Sequence, residues 1–415
     1  MRTFFTLLLL MAAASIFAQR STDTVSVGAA YANQIWYSLE NEEQATAPQA
    51  GWDLAFEITG FSAAILVNTA KGDQVWLYPK GDTAAWATVD TSGIKTWKAI
   101  YNSDSTWARG ALNQGADPEN ELDLGWGNYN FITHQVNGDS LFVVKLASGS
   151  YQKLWIQRLA SGTYYFRHAA LDGSMDMSRT LAKSDFAGKR FGYYNLTTHS
   201  SSNPEPASSD WELLFTKYTS FIQGLPYTVT GVLQNAGIKA AQAYPVGDPS
   251  TYVDYSSLSF STEINTIGYD WKSFAFATNS WQIADSLVYF VKEADGDIWK
   301  LVFTGFGGSA SGNFIFEKEK LFTTSLSPEA APFFSLYPNP ASGRSLQLMA
   351  DFPASGGAVE LRVLDLSGRE VAAMQFPAQE SLASYPLELP ALPAGLYAVR
   401  ISQGGRAFSA KLILR

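Results

Sequence analysis

The chain has 415 residues, with 29 Lys+Arg against 38 Asp+Glu, a formal net charge of −9, three His and no Cys. The missing cysteine excludes disulfides, thiolate metal sites, iron–sulfur clusters and a cysteine nucleophile, and three histidines leave little room for a multi-histidine centre. An acidic chain without a basic run is a poor electrostatic partner for nucleic acid or anionic lipid, while 46% apolar residues suffice for ordinary packed cores.

The first 18 residues read MRTFFTLLLLMAAASIFA. Arg2 precedes an apolar run from Phe4 to Ala14 and then small residues, the layout of a secretory signal peptide cleaved after Ala18. The run is short for a span of ~20 residues, and no other segment reads as transmembrane. No cysteine follows it to carry a lipid.

From Thr22 to about Phe322 short alternating runs are separated by turn residues, at 64–68, 74–78, 141–146, 153–158, 163–167, 286–291, 300–304 and 313–317. Apolar and polar residues alternate with period two, so half-buried antiparallel strands are expected and the fold class is all-β. Residues 147–150 and 293–297 read as hairpin turns. Helical periodicity is weak throughout, and residues 208–215 and 228–241 are the least settled.

Four blocks recur in the same order. Gly51-Trp-Asp-Leu-Ala-Phe56 resembles Asp210-Trp-Glu-Leu-Leu-Phe215, and Trp36-Tyr-Ser-Leu39 resembles Tyr193-Tyr-Asn-Leu196. Leu124-Gly-Trp126 is matched by Ile267-Gly-Tyr269, and Lys153-Leu-Trp-Ile156 by Lys300-Leu-Val-Phe303. Their colinearity argues for a β module written twice, over 19–178 and 179–322. Trp52, Leu54 and Phe56 are expected on one strand face as core anchors. Asp53 is expected on the other face, bonding a neighbouring loop. Trp52 and Trp211 are read as structural.

The repeated opening, the Ile/Leu-Gly-aromatic turn and the closing Asp-Gly-x-x-x-Lys-Leu strands resemble the HmuY-like secreted haem-binding proteins over about residues 24–320. That resemblance implies an all-β, hand-like fold that clamps haem between two axial ligands. This chain departs from the family in having two modules and no lipid-bearing cysteine. Haem iron needs a neutral imidazole or a thioether in an aromatic-walled slot. His134 and His168, both near strand ends in the first half, form the best ligand pair, although each can equally be an ordinary strand-edge histidine. His199, among serines and threonines, is expected to be exposed, and Met175 and Met177 fall in the turn between the halves.

Residues 323–334 form a Ser/Pro/Ala linker. Residues 335–415 then carry three motifs: Leu336-Tyr-Pro-Asn-Pro340, Val363-Leu-Asp-Leu-Ser-Gly-Arg369 and Leu392-Pro-Ala-Gly-Leu-Tyr-Ala-Val-Arg-Ile401, ahead of the basic tail Lys411-Leu-Ile-Leu-Arg415. Pro338 and Pro340 stiffen the entry around Asn339 after Tyr337, and Asp365 with Gly368 and Arg369 makes a tight turn. Gly395, Tyr397 and Lys411 belong to the closing strands. A small seven-strand, immunoglobulin-like β-sandwich is expected.

These motifs resemble the type A carboxyl-terminal sorting domain of type IX secretion substrates in Bacteroidota. The resemblance implies the type IX machinery and a surface sortase as partners, attachment to surface lipopolysaccharide, and localisation outside the cell or on the outer-membrane surface.

No catalytic motif is found: neither a His-Glu-x-x-His zinc pattern nor a Gly-x-Ser-x-Gly elbow occurs. The glycine-rich stretch 305–312 precedes no long helix and reads as a hairpin loop. The acidic loop 117–123 offers carboxylates to Ca²⁺ but lacks the EF-hand spacing, and reads as a solvated loop. The sequence therefore points to a non-enzymatic binding body for haem, a related flat ligand, or a host or glycan ligand. A structural or adhesive surface protein and a hydrolase of unrecognised type are the competing readings.

Overall fold

The computed structural model describes residues 20–59, 63–321, 334–351, 358–365, 368–377, 382–403 and 406–415. The signal peptide and most of the linker lie outside these residues. The described chain divides into a body and a carboxyl-terminal unit, with the division at residue 325.

The body opens with β1 (Ser21–Ser26), β2 (Asn33–Ser38) and β3 (Glu42–Pro48). It continues through β4 (Leu54–Glu57), β5 (Ile65–Val67), β6 (Gln74–Leu77), β7 (Ala99–Ile100), β8 (Gly127–Asn130), β9 (Gln135–Gly138), β10 (Leu141–Lys145), β11 (Tyr151–Ala160) and β12 (Thr163–Ala170). A second series follows: β13 (Met177–Ala182), β14 (Phe191–Asn195), β15 (Ser200–Ser202), β16 (Leu213–Ile222), β17 (Leu225–Gln234), β18 (Lys239–Ala243), β19 (Lys272–Ala275), β20 (Ser280–Ile283), β21 (Val288–Lys292), β22 (Ile298–Phe306) and β23 (Asn313–Leu321). Of the two stretches least settled by periodicity, 228–241 is largely strand, while 208–215 becomes strand only from Leu213. The glycine-rich loop contains a single helical turn, α1 (Gly308–Ser311).

Strand pairing crosses between the two series. One sheet runs β13-β12-β11-β10-β6-β7, and a second runs β1-β23-β22-β21-β18. Two four-stranded sheets run β15-β14-β4-β5 and β17-β16-β2-β3. The strands that open each series therefore complete sheets made by the other. The line drawn at 178/179 passes through β13, which is paired to β12 from Thr163↔Ala182 to His168↔Met177. That line is not a division between two sheet systems.

Matched hydrogen bonds accompany the crossed pairing. The Asp53 amide donates to the Tyr194 carbonyl at 2.9 Å, and the Glu212 amide to the Tyr37 carbonyl at 3.0 Å. The Leu196 amide donates to Asp53 Oδ2 at 2.6 Å, and the Leu39 amide to Glu212 Oε2 at 2.7 Å. Asn68 Nδ2 donates to the Trp52 carbonyl at 3.0 Å, and Asn235 Nδ2 to the Trp211 carbonyl at 2.8 Å.

Side-chain alternation turns these sheets into four layers. In β4, Leu54 and Phe56 enter a core with Phe142, Ile156 and Tyr194, and Ala55 points the other way. In β2 and β16, Ile35, Tyr37, Leu213 and Phe215 enter a core with Tyr289, Leu301 and Phe316. Trp36 and Leu214 point the other way and join Ala55, Trp52, Trp107, Tyr193 and Trp211 in a cluster between the two inner sheets. Inner strands are thus buried on both faces, and all four residues of β4 are buried. This corrects the sequence reading of one shared face. Trp52 packs with Ala55, because the alternation breaks at Asp53, whose buried carboxylate bonds the Leu196 amide and Lys71.

The carboxyl-terminal unit contains β24 (Phe334–Tyr337), β25 (Ser345–Asp351), β26 (Val359–Leu364), β27 (Glu370–Phe376), β28 (Leu382–Glu388), β29 (Gly395–Gln403) and β30 (Arg406–Leu414). They form antiparallel sheets of order β24-β25-β28 and β27-β26-β29-β30 over a core that includes Leu348, Leu361, Val399, Ile401 and Leu412.

Candidate functional site

The sequence-predicted histidines are not brought together. His134 sits in the β8–β9 turn with φ +53, exposed, its Nδ1 3.0 Å from the Tyr129 hydroxyl. His168 lies on β12, fully buried. Leu154 faces His168 across the ladder, while Leu159 faces Val136, two residues from His134. Five strand residues amount to about 16 Å. Both His168 nitrogens are occupied, Nδ1 by Gln152 Oε1 and Nε2 by the Tyr194 hydroxyl, each at 3.0 Å. Burial pushes its pKa down to about 4, and His199 and Arg179 add to the shift. The ring that stacks on His168 is His199, at 5.3 Å and 22°. His199 is half-buried, not exposed as its serine-rich surroundings suggest.

The acidic loop carboxylates are spent locally. Asp123 accepts from the Asp117 and Gly125 amides, and Asp117 from the Glu119 amide. A tighter acidic group lies elsewhere: Glu293, Asp295 and Asp297 offer ligand atoms within 4.8 Å of one another. Lys320 pairs with Asp297 at 2.9 Å.

The cluster between the inner sheets encloses space. One cleft is lined by Gln34, Trp52, Trp107, Leu214, Tyr218 and their neighbours. A second shares Gln34, Trp52 and Trp107 and extends to Trp36, Tyr193, Glu205 and Trp211. Its walls are aromatic. Trp52 meets the Tyr193 ring edge-on at 5.4 Å, Trp36 does so at 6.4 Å, and Trp107 packs against Phe191 at 5.8 Å. Hydroxyl groups line the larger cleft as well. Thr216 donates to Gln49 Oε1 at 3.0 Å, and Thr69 and Thr219 share a hydroxyl bond at 2.8 Å.

Four buried polar groups on the lining residues have no partner among the described residues: Gln34 Nε2, Trp52 Nε1, Trp211 Nε1 and the Tyr218 hydroxyl. Gln34 and Trp211 are 3% exposed, Tyr218 8% and Trp52 9%. An unpartnered buried donor costs roughly 1–3 kcal/mol, and buried polar groups are nearly always paired. Gln34 and Trp52 border both clefts, Tyr218 the larger and Trp211 the smaller, so each cleft has three such groups; Trp271 Nε1 and the Tyr289 hydroxyl are also without partners in the other core. Neighbouring groups are satisfied by contrast: Trp107 Nε1 donates to the Gln234 carbonyl at 3.0 Å. Glu205 accepts from the Arg190 and Phe191 amides and the Tyr193 hydroxyl, and burial pushes its carboxyl up to about 7.

Sequence reasoning found Trp52 and Trp211 only as structural anchors, and Gln34, Trp107 and Tyr218 not at all. Their shared signal is tertiary, because the cavity draws on strands from both series.

The sorting-motif residues act on the closing strands. Asn339 Nδ2 donates to the Lys411 carbonyl at 2.6 Å and its Oδ1 accepts from the Ile413 amide at 3.0 Å, so Asn339, between exposed Pro338 and Pro340, clips the last strand. The Tyr337 backbone faces Gln347. Arg369 bonds both Asp365 carboxylate oxygens at 3.1 Å, around Gly368 at φ +82. Gly395 faces Leu414, Lys411 faces Ala398, and the Tyr397 hydroxyl donates to the Pro393 carbonyl at 2.8 Å.

Residues 335–415 match the model of the Secretion system C-terminal sorting domain. The chain therefore carries the signal for type IX secretion to the cell surface or exterior in Bacteroidota. That match covers none of residues 24–320, and nothing in these comparisons supports the haem-binding resemblance there. No curated protein matches the chain. Among solved structures, dimeric latent PorU from Porphyromonas gingivalis covers 82% of this chain at 11% identity with a TM-score of 0.18. The chain spans 34% of that structure's length. A likeness this slight carries no argument about the fold. No helix among the described residues is long and apolar enough to cross a membrane.

Proposed function

We propose that this protein is a non-enzymatic binding protein delivered through type IX secretion, and that its ligand occupies the aromatic cleft between the two inner sheets. The observation that carries the reading is the set of four buried donors without acceptors on the two clefts that share Gln34, Trp52 and Trp107. A bound molecule supplying oxygen acceptors would satisfy them, and the surrounding rings would cover its apolar faces. The matched bonds and crossed pairing support descent of the body from one module written twice, with the cleft formed where the two copies meet. The sorting domain implies removal by a surface sortase and attachment to surface lipopolysaccharide once export is complete.

Saturation-transfer NMR of the full exported chain with a mixed library of oxygen-rich fragments tests the site. Binding that protects the Trp52 and Trp211 indole N–H resonances is expected. A library in which no fragment contacts those indoles overturns it.

A second reading, adhesion, draws on exposed apolar hairpin tips. Phe131 and Ile132 at the β8–β9 turn are 67% and 77% exposed, and Phe276 at the β19–β20 turn is 89% exposed. Loss of cell or matrix adhesion on changing Phe131 and Phe276 to Ser, with fragment binding intact, would favour it.

A further inference from the structure

We infer that the ligand of the inter-sheet cleft is a neutral, polyhydroxylated ring, a saccharide unit; this rests on the reading of the cleft as a binding site and names the ligand class. The charged groups on the lining are few. The larger cleft has one cation, Lys217, and one acid, Asp104. Asp104 is already engaged, accepting from the Ser220 hydroxyl at 2.7 Å and the Phe221 amide at 3.3 Å. In the smaller cleft the acid is Glu205, which carries three hydrogen bonds. The acids of both clefts are thus engaged within the protein, and the groups left without partners are uncharged.

The unmet chemistry is instead that of neutral donors. Two indole N–H groups can only donate, and the Gln34 amide nitrogen can only donate. The Tyr218 hydroxyl can do either. These groups want several neutral oxygens carried on one compact body. The tryptophans add the second half of the demand, because a partner must also present apolar C–H surface to indole and phenol rings. A sugar ring offers both, with C–H faces above and below and oxygens around its edge. A hydrocarbon or fatty chain would leave every one of the four donors unpaired, at the cost that such groups carry when buried.

The larger cleft also has hydroxyl groups. Thr69, Thr216 and Thr219 are among its lining residues, and their hydroxyls already bond within the protein. Sugar hydroxyls can join those bonds as additional donors without leaving a buried group unmet. An aromatic ketone or quinone would satisfy the indoles but has no hydroxyl for these threonines.

The full exported chain titrated with glucose, galactose, mannose and N-acetylglucosamine, and with glucuronate as the charged control, tests the inference by calorimetry and tryptophan fluorescence. At least one neutral sugar should bind saturably, and glucuronate should not exceed it. Tyr218→Phe removes one hydroxyl without changing ring shape, and should weaken that binding about fivefold, the value of one ordinary hydrogen bond. The same variant should leave the melting temperature equal or higher, because an unpaired buried group is gone. Gln34→Leu gives a second, independent loss. Absence of saturable binding by all four neutral sugars overturns the inference. So does binding that neither variant changes. If the fragment library contacts the indoles and no sugar binds, the ligand class is wrong and the site stands. If neither binds, the cleft holds only water and both fail.

Discussion

Deleting residues 20–27 should unfold one half of the body and spare the other. β1 closes the second outer sheet by pairing with β23, from Ser21↔Lys318 to Ser26↔Asn313. Val25 is 3% exposed and Val27 fully buried, and both belong to the core that includes Phe314 and Phe316. Burial of a valine side chain contributes about 1.5–3 kcal/mol, so the two together contribute about 3–6 kcal/mol. Asp23 adds a hydrogen bond from the Tyr37 hydroxyl and an ion pair with Lys318 at 3.4 Å. Domains are typically stable by only about 5–15 kcal/mol, so this loss is a large share of the total. The other core is drawn from residues between Leu54 and Leu196 and contains nothing from β1. Urea unfolding followed by fluorescence should split into two transitions. Hydrogen exchange should show β23 amides unprotected while β10–β12 stay protected. A single transition at an unchanged midpoint would refute the crossed closure.

Other outcomes follow from individual residues. His168 has a folded pKa of about 4 against an ordinary 6.5, so the fold favours its neutral form. Its contribution is complete above about pH 6.5 and is lost as the pH falls towards 4, by about 2–3 kcal/mol; urea midpoints at pH 7 and 4.5 should show this loss, and His168→Leu should lack it. Gly110→Ala should destabilise by about 2–4 kcal/mol in thermal unfolding, because a Cβ there would lie 2.1 Å from the Ile65 carbonyl oxygen. Hemin added to the full chain should give no bis-histidine Soret spectrum. A spectrum of that kind, abolished by His134→Ala with His168→Ala, would contradict the separation of the two rings.

Part of this architecture was legible residue by residue. Period-two alternation identified β11, β12 and β23, whose burial alternates along the strand. The same rule failed at β4, β16 and β17. The inner strands β4 and β16 are covered on both sides, so no polar phase marks them, and β17 carries exposed apolar residues beyond its buried end. The repeat at Trp52 and Trp211 was visible as letters, but its pairing was not: a short motif does not state which distant strand it will bond. His199 was misjudged for a related reason. Its neighbours are polar, yet β15 pairs with β14 and brings the ring onto His168.

By itself, the sequence determined the destination of this protein. The sorting motifs work through local geometry: an asparagine between two prolines, an Asp–Gly–Arg turn and a closing strand, each readable within a few residues. It also determined an all-β composition and a fold without disulfides. Only the tertiary structure decided where a ligand can sit. The cleft is bounded by Gln34 and Trp36 from one end of the chain, Trp52 and Trp107 from the next segment, and Trp211, Leu214 and Tyr218 from the second series. No local pattern could join them, because they meet only when two sheets, each completed by strands from both series, are laid face to face.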